Sequence, residues 1–237
     1  GTEVATRDGV RLRSTVDTSG LASASLGQLP RLPETADELM DIAEALKVTD
    51  EYVYLGKKAN EKNVKSMDLD QFQTVAFATH GLVPGDLDGL TQPALAMTAP
   101  SISKTEGDGL LTMDEIMNLK LNAEWVILSA CNTGSGGTQS SEAFSGLGQA
   151  FFYAGARSLL VSNWPVETTS ARLITTGIFE SETHVDNRAK SLQDSIVNLI
   201  NDGNYTDPES GEILFSYAHP FFWAPFSLVG DTLASGS

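Results

Sequence analysis

Scarcity defines this chain first: among 237 residues there is one cysteine, three histidines, and 15 lysines and arginines against 31 acids. A single cysteine cannot close an intramolecular disulfide, so a disulfide-stapled fold is excluded. The formal net charge of -16 argues against a nucleic-acid surface, which needs clustered bases to neutralise phosphates. No apolar run approaches the roughly 20 residues required to span a bilayer. The start, Gly1-Thr2-Glu3, lacks the basic-then-apolar pattern of a secretory signal; a cytoplasmic setting is expected, with a periplasmic or secreted one left open where the native N-terminus lies upstream. Gly134–Gly137 lacks the Gly-Lys-Ser/Thr ending of a phosphate loop, and no serine occupies a G-x-S-x-G elbow. His184 and His219 have no metal-ligand spacing with Cys131, so zinc is disfavoured. Neither a metal nor a cofactor is expected.

What is present suits a globular domain. Apolar residues make up 41% and charged residues 19%, enough to bury one substantial core. Residues 1–30 are rich in Ser, Thr and Gly, with 1–19 read as a linker or domain edge and one strand expected near Leu21–Leu29. Thr35 and Glu38 have the spacing of a capping box, ahead of Leu39, Ile42, Ala43 and Leu46 on one helical face. Tyr52–Leu55 reads as a short strand and 59–67 as a surface helix. Buried-type strands are predicted over 73–79, 125–128 and 157–163, with a last strand over 223–229. Helices are predicted through 119 from a second capping box (Thr112, Glu115), over 144–154, over 168–180 and over 188–200. Strands alternating with helices give an α/β fold with a mostly parallel sheet covered on both faces.

Two residues stand where such sheets carry their chemistry. His80 follows the strand that ends at Thr79, and Cys131 follows the apolar run through Trp125-Val126-Ile127-Leu128. Carboxyl ends of parallel strands point the same way, and open α/β sheets bind ligands there. A cysteine and a histidine on neighbouring strands suffice for acyl transfer, the imidazole taking the thiol proton before the thiolate attacks a carbonyl. Gly81 leaves room for a substrate backbone, and its N–H could share an oxyanion hole with that of Cys131. On residue chemistry alone, Cys131 as a small buried hydrophobe and His80 as a strand terminus stay open. Lys104–Glu115 imitates a calcium loop through Asp108, Gly109, Leu111 and Glu115. Lys104, however, stands where a liganding Asp is needed, and the capping box accounts for Glu115.

Five ordered blocks carry a family resemblance. They are Phe77-Ala78-Thr79-His80-Gly81, Leu128-Ser129-Ala130-Cys131-Asn132-Thr133-Gly134, Ala150-Phe151-Phe152-Tyr153-Ala154-Gly155-Ala156-Arg157, Ser162-Asn163-Trp164-Pro165-Val166, and His219-Pro220-Phe221-Phe222-Trp223-Ala224-Pro225-Phe226. Over roughly 20–231 the chain resembles the CHAT peptidases, relatives of caspases and separases that are often fused to tetratricopeptide repeats. The resemblance implies a caspase-like three-layer α/β sandwich over 20–237 and a cysteine endopeptidase acting on a protein or peptide. By motif position His80 would be the general base, Cys131 the nucleophile and Gly81 a lining of the oxyanion site. The family's opening stretch is missing, which implies a C-terminal piece of a longer protein whose repeat or other regulatory region lies elsewhere. Members usually carry Asp after Trp-Pro-Val; here Glu167 stands there. In separases an acid nearby meets a basic P1 side chain, so Glu167 is a candidate for an S1 pocket, with a helix-terminal charge as its plainer role. The rival to a peptidase is a catalytically silent interaction or signalling domain on the same fold. A flavodoxin-like nucleotide or phosphoacceptor domain ranks last, lacking both an acidic cluster and a phosphate loop.

Overall fold

A computed structural model describes residues 26–129, 138–164, 166–207 and 210–233. In chain order the elements are α1 (Glu34–Ala45), α2 (Glu61–Ser66), β1 (Thr74–Phe77), β2 (Gly81–Leu82), β3 (Ala94–Ala96), α3 (Pro100–Ser103), β4 (Leu110–Thr112) and α4 (Met113–Met117). Then come β5 (Trp125–Leu128), α5 (Thr138–Ala154), β6 (Ser158–Ser162), α6 (Thr168–Glu180), α7 (Arg188–Asp202), β7 (Asn204–Thr206), β8 (Ile213–Ser216), α8 (Pro220–Trp223) and β9 (Phe226–Gly230).

The central sheet runs β1-β5-β6-β9. β1 pairs with β5 and β5 with β6 in parallel, while β9 returns antiparallel along β6. Because side chains alternate across a strand, β5 splits its four buried residues between two cores. Val126 and Leu128 pack with Phe77, Leu159, and Leu147, Ala150 and Phe151 of α5. Trp125 and Ile127 pack with Leu160, Ile42 of α1, Ile174 and Ile178 of α6, and Leu192 and Leu199 of α7. Burying an aliphatic side chain of this kind is worth about 1.5–3 kcal/mol, so the short strand is held from both faces. This is the sheet covered on both faces that the alternation of strands and helices predicts, and the three-layer α/β arrangement that the family resemblance implies.

Two glycines set the spacing of the layers. Gly155 closes α5 at φ +112°, and a Cβ there would sit 2.2 Å from the carbonyl oxygen of Leu121. That contact lets the Leu121 N–H donate to the carbonyl of Ala154 at 2.8 Å. Gly177 lets α6 and α7 close up, since its Cβ would lie 2.6 Å from Ser195 Oγ. The same hydroxyl donates to the carbonyl of Ile174 at 2.8 Å.

The structure corrects several sequence expectations. Tyr52–Leu55 is not a strand: Asp50–Tyr52 is a 3₁₀ turn, with the Tyr52 ring edge-on to Phe72. Leu26–Gln28 is likewise a 3₁₀ turn, and the rest of the strand expected near Leu21–Leu29 lies outside the described residues. α5 starts at Thr138 rather than 144. The run over 223–229 divides into the end of α8, entered through Pro220 at its first position, and the strand β9. Thr35 and Glu38 do not form a capping box, since Pro33 is the N-cap and Thr35 Oγ1 donates to the Leu32 carbonyl at 2.7 Å. The box at Thr112 and Glu115 does form.

Candidate active site

His80 lies between β1 and a small antiparallel sheet. The Ser129 N–H donates to the Phe77 carbonyl at 2.9 Å, extending the β1–β5 ladder by one residue. Thr79 Oγ1 donates to the Ala96 carbonyl, and the Ala96 N–H donates back to the His80 carbonyl at 2.8 Å. Gly81 then opens β2 opposite Leu95, and β3 pairs onward with β4. The backbone of residues 79–81 is thus clamped between two sheets, which limits where the imidazole can point.

His80 is 5% exposed. Its Nε2 lies 2.7 Å from the carbonyl oxygen of Pro30, an atom that can only accept. Nε2 therefore carries the hydrogen, and in the neutral ring Nδ1 holds the lone pair. Nδ1 is buried and has no hydrogen-bond partner among the described residues. Burial pushes the His80 pKa below its ordinary 6.5, and the Pro30 hydrogen bond opposes that shift only in part. The outcome is a neutral imidazole, its tautomer fixed, with an unused basic nitrogen. Pro30 is the member of this arrangement that sequence reasoning missed, because a backbone carbonyl from a distant loop carries no residue signature.

Of the other predicted positions, Cys131 lies outside the described residues. Register still relates it to His80: Phe77 pairs with Leu128, and His80 and Cys131 each stand three positions further along their strands' sequences. Glu167 is found past the carboxyl end of β6, 1% exposed, as the N-cap of α6. Its Oε2 accepts the Ser170 N–H at 2.7 Å. Tyr217, buried nearby, has its phenol pushed up to about 12, first by burial and then by the Glu167 charge. His184 Nδ1 sits 2.7 Å from the Ser181 carbonyl, and His219 caps α8 through Nδ1, which accepts the Phe221 N–H at 3.2 Å.

The loop resembling a calcium site is organised by an acid from elsewhere. Glu61 Oε2 accepts the N–H groups of Asp108 and Gly109 at 3.0 Å each, and Glu61 Oε1 accepts from Lys65. Asp108 Oδ1 takes the Leu110 N–H, and Glu115 caps α4. Among the described residues no group of three or more potential ligands could hold a metal ion. Among them, too, no helix is long and apolar enough to cross a membrane.

A second missed residue is Glu38 on α1. It is 0% exposed and accepts from Ser129 Oγ at 3.2 Å and Thr175 Oγ1 at 3.0 Å. Beside His80 a mostly apolar cleft of about 1170 Å³ opens between α1, α2 and β1, with Pro30, Ile42, Val53, Phe72 and Met97 among its walls.

A mostly parallel sheet with an antiparallel last strand and helices on both faces make an α/β module, consistent with a caspase-like fold. Sequence comparison makes this specific: a family model for the CHAT domain matches residues 6–231, and the chain belongs to that family, which is related to cysteine peptidases. It is also similar to the mouse (Mus musculus) protein named tetratricopeptide repeat protein 28, at 25% identity over 128 residues. That alignment covers 54% of this chain and 5% of the relative, so the chain spans only a small part of the relative's length.

Proposed function

We propose that this CHAT domain is a cysteine endopeptidase that cleaves a protein partner through His80 and Cys131. The observation that carries the reading is the state of His80. It is buried and neutral, locked by Pro30 into one tautomer, and its Nδ1 lone pair is unengaged among the described residues. Its strand also pairs directly, and in parallel, with the strand that leads to Cys131. Such a nitrogen is suited to general-base work near neutral pH.

In the proposed reaction Nδ1 takes the Cys131 thiol proton, and the thiolate attacks the scissile carbonyl carbon. The oxyanion of the tetrahedral intermediate is held by the N–H groups of Gly81 and Cys131. The C–N bond breaks as His80 returns the proton to the leaving amine, giving a thioester acyl-enzyme. Water, deprotonated by His80, then attacks the thioester and releases the new carboxyl product and the thiol. Glu167, at the carboxyl end of the strand beside β5, is proposed to favour a basic P1 side chain. Glu167→Gln should reduce an Arg-over-Leu preference in a peptide library, and an unchanged preference would remove the residue from that role. A cytoplasmic setting suits the reaction, because reducing compartments keep thiols free. The name of the mouse relative supports a partnership with a tetratricopeptide-repeat region.

The direct test is covalent capture by a peptidyl acyloxymethyl ketone. Wild-type protein should be labelled at Cys131, and Cys131→Ala and His80→Ala should not be. Absence of wild-type labelling would favour the rival reading, a silent interaction domain that uses the apolar cleft beside His80.

A further inference from the structure

We infer that Glu38 is a positioning residue for the reaction proposed above, acting through Ser129 on the strand end that leads to Cys131. The inference rests on that reading. Three observations carry it. First, Glu38 belongs to the same helical face as the apolar Leu39, Ile42 and Ala43 of α1, where an aliphatic residue would be the inexpensive choice. A fully buried carboxylate breaks that local pattern, and natural sequences break local rules where function requires it. Second, its two oxygens lie within hydrogen-bond distance of hydroxyls from two different elements, Ser129 Oγ just past β5 and Thr175 Oγ1 on α6, the latter sharing its hydrogen with the Ala171 carbonyl at 3.0 Å. One side chain therefore ties an outer helix to the sheet and to the helix beside it. Third, the tie falls at the carboxyl end of the sheet, where ligands bind in this architecture, and it grips the residue two positions before Cys131.

The same strand end is held from the other side by the hydrogen bond between the Ser129 N–H and the Phe77 carbonyl. Main chain and side chain of Ser129 are therefore both fixed, one toward the His80 strand and the other toward α1. A thiolate can attack only from a narrow set of positions, and misplacement by about 1 Å costs up to about a hundredfold in rate. Glu38 and Ser129 hold the end of β5, two positions before Cys131 in the sequence.

Because the chain has a single cysteine, the test needs no known substrate. Two reagents are compared on the whole chain at a temperature where every variant is folded. Iodoacetamide reads thiolate access, and a peptidyl acyloxymethyl ketone with Arg at P1 reads alignment. Glu38→Ala should slow ketone capture by roughly tenfold to a hundredfold while changing the iodoacetamide rate far less. Ser129→Ala should reproduce that split, and the double variant should be no slower than Glu38→Ala alone. Glu38→Gln, which keeps an acceptor for a hydroxyl, should recover most of the rate. If Glu38→Ala does not fold, Ser129→Ala carries the test. Equal ketone rates in wild type and in Glu38→Ala or Ser129→Ala would overturn the inference and leave the peptidase reading standing. If the ketone fails to label wild type while iodoacetamide still reacts, the peptidase reading falls, and the inference falls with it.

Discussion

At the amino ends of β5 and β6 the Arg188 guanidinium is 0% exposed, and its hydrogen bonds run to a carboxylate and two carbonyls. It donates to Glu124 at 2.6 Å, to the Asp231 carbonyl at 2.9 Å and to the Leu233 carbonyl at 2.7 Å. At the carboxyl ends His80 is almost as buried, but only one ring nitrogen is engaged among the described residues. The first arrangement is closed, with a charge cancelled by a countercharge and the C-terminal segment pinned beneath the sheet. The second keeps hydrogen-bonding capacity in reserve, at a cost of about 1–3 kcal/mol for a buried polar atom left unpaired. On the reading proposed above, the contrast is between a polar group that stabilises the fold and one held ready for a reaction.

The comparison can be broken by substitution, and the largest effect is expected at the open end. His80→Ala should lower capture by the peptidyl ketone by about 10²–10⁴, read as capture rate per folded molecule so that the loss of a buried ring is not counted. Arg188→Ala should act on stability instead. Removing one partner of a buried pair costs about 3–5 kcal/mol. The lower end is expected, because Glu124 keeps Arg157 at 3.2 Å; urea unfolding measures the loss, and reactivity per folded molecule should hold.

The next effect is a pH dependence. The unfolded chain protonates its histidines near 6.5, whereas folded His80 protonates only at a lower pH. Between those values the unfolded state binds the extra proton, so folding stability rises with pH there. His80's contribution is full above 6.5 and is lost as pH falls through its lowered folded pKa. Wild type should show a slope up to about 1.4 kcal/mol per pH unit steeper than His80→Gln in that window. Equal slopes by urea unfolding at several pH values would place the ring in a more polar site than the one described. The smallest effect lies away from both ends: Thr112→Ala removes a helix cap and should cost about 1 kcal/mol.

The parts of the fold legible in sequence are those where one periodicity runs long enough. The helices α6 and α7 stand out by their spaced apolar residues, and β5 by four apolar residues buried on both faces. The sheet β2-β3-β4 is illegible because its strands are two or three residues long and separated by Pro-Gly and Asp-Gly turns. Tyr52–Leu55 has strand-forming residues but, among the described residues, no strand beside it to complete a ladder, and propensity without a partner does not make a strand. Within the candidate site, the place of His80 at the end of the β1 segment is legible because a buried-type apolar run stops there; its role as a base is a proposal. Glu38 was misread as half of a local cap, since spacing exposes near neighbours and conceals hydroxyls that arrive from β5 and α6. Glu167 had a helix-terminal role foreseen as its plainer alternative, and it does cap α6.

The hydrogen bond from His80 to Pro30 has a practical consequence for mutagenesis. The partner is a main-chain oxygen, so every amino acid placed at position 30 supplies it. An alanine scan would pass over the position without a signal, as would any survey that looks for a shared residue type. The element that fixes the imidazole's tautomer can therefore change its side chain freely while its atom stays in place. It is detectable by editing the backbone, for instance by altering the length of the segment between residues 29 and 33, and not by changing what hangs from it.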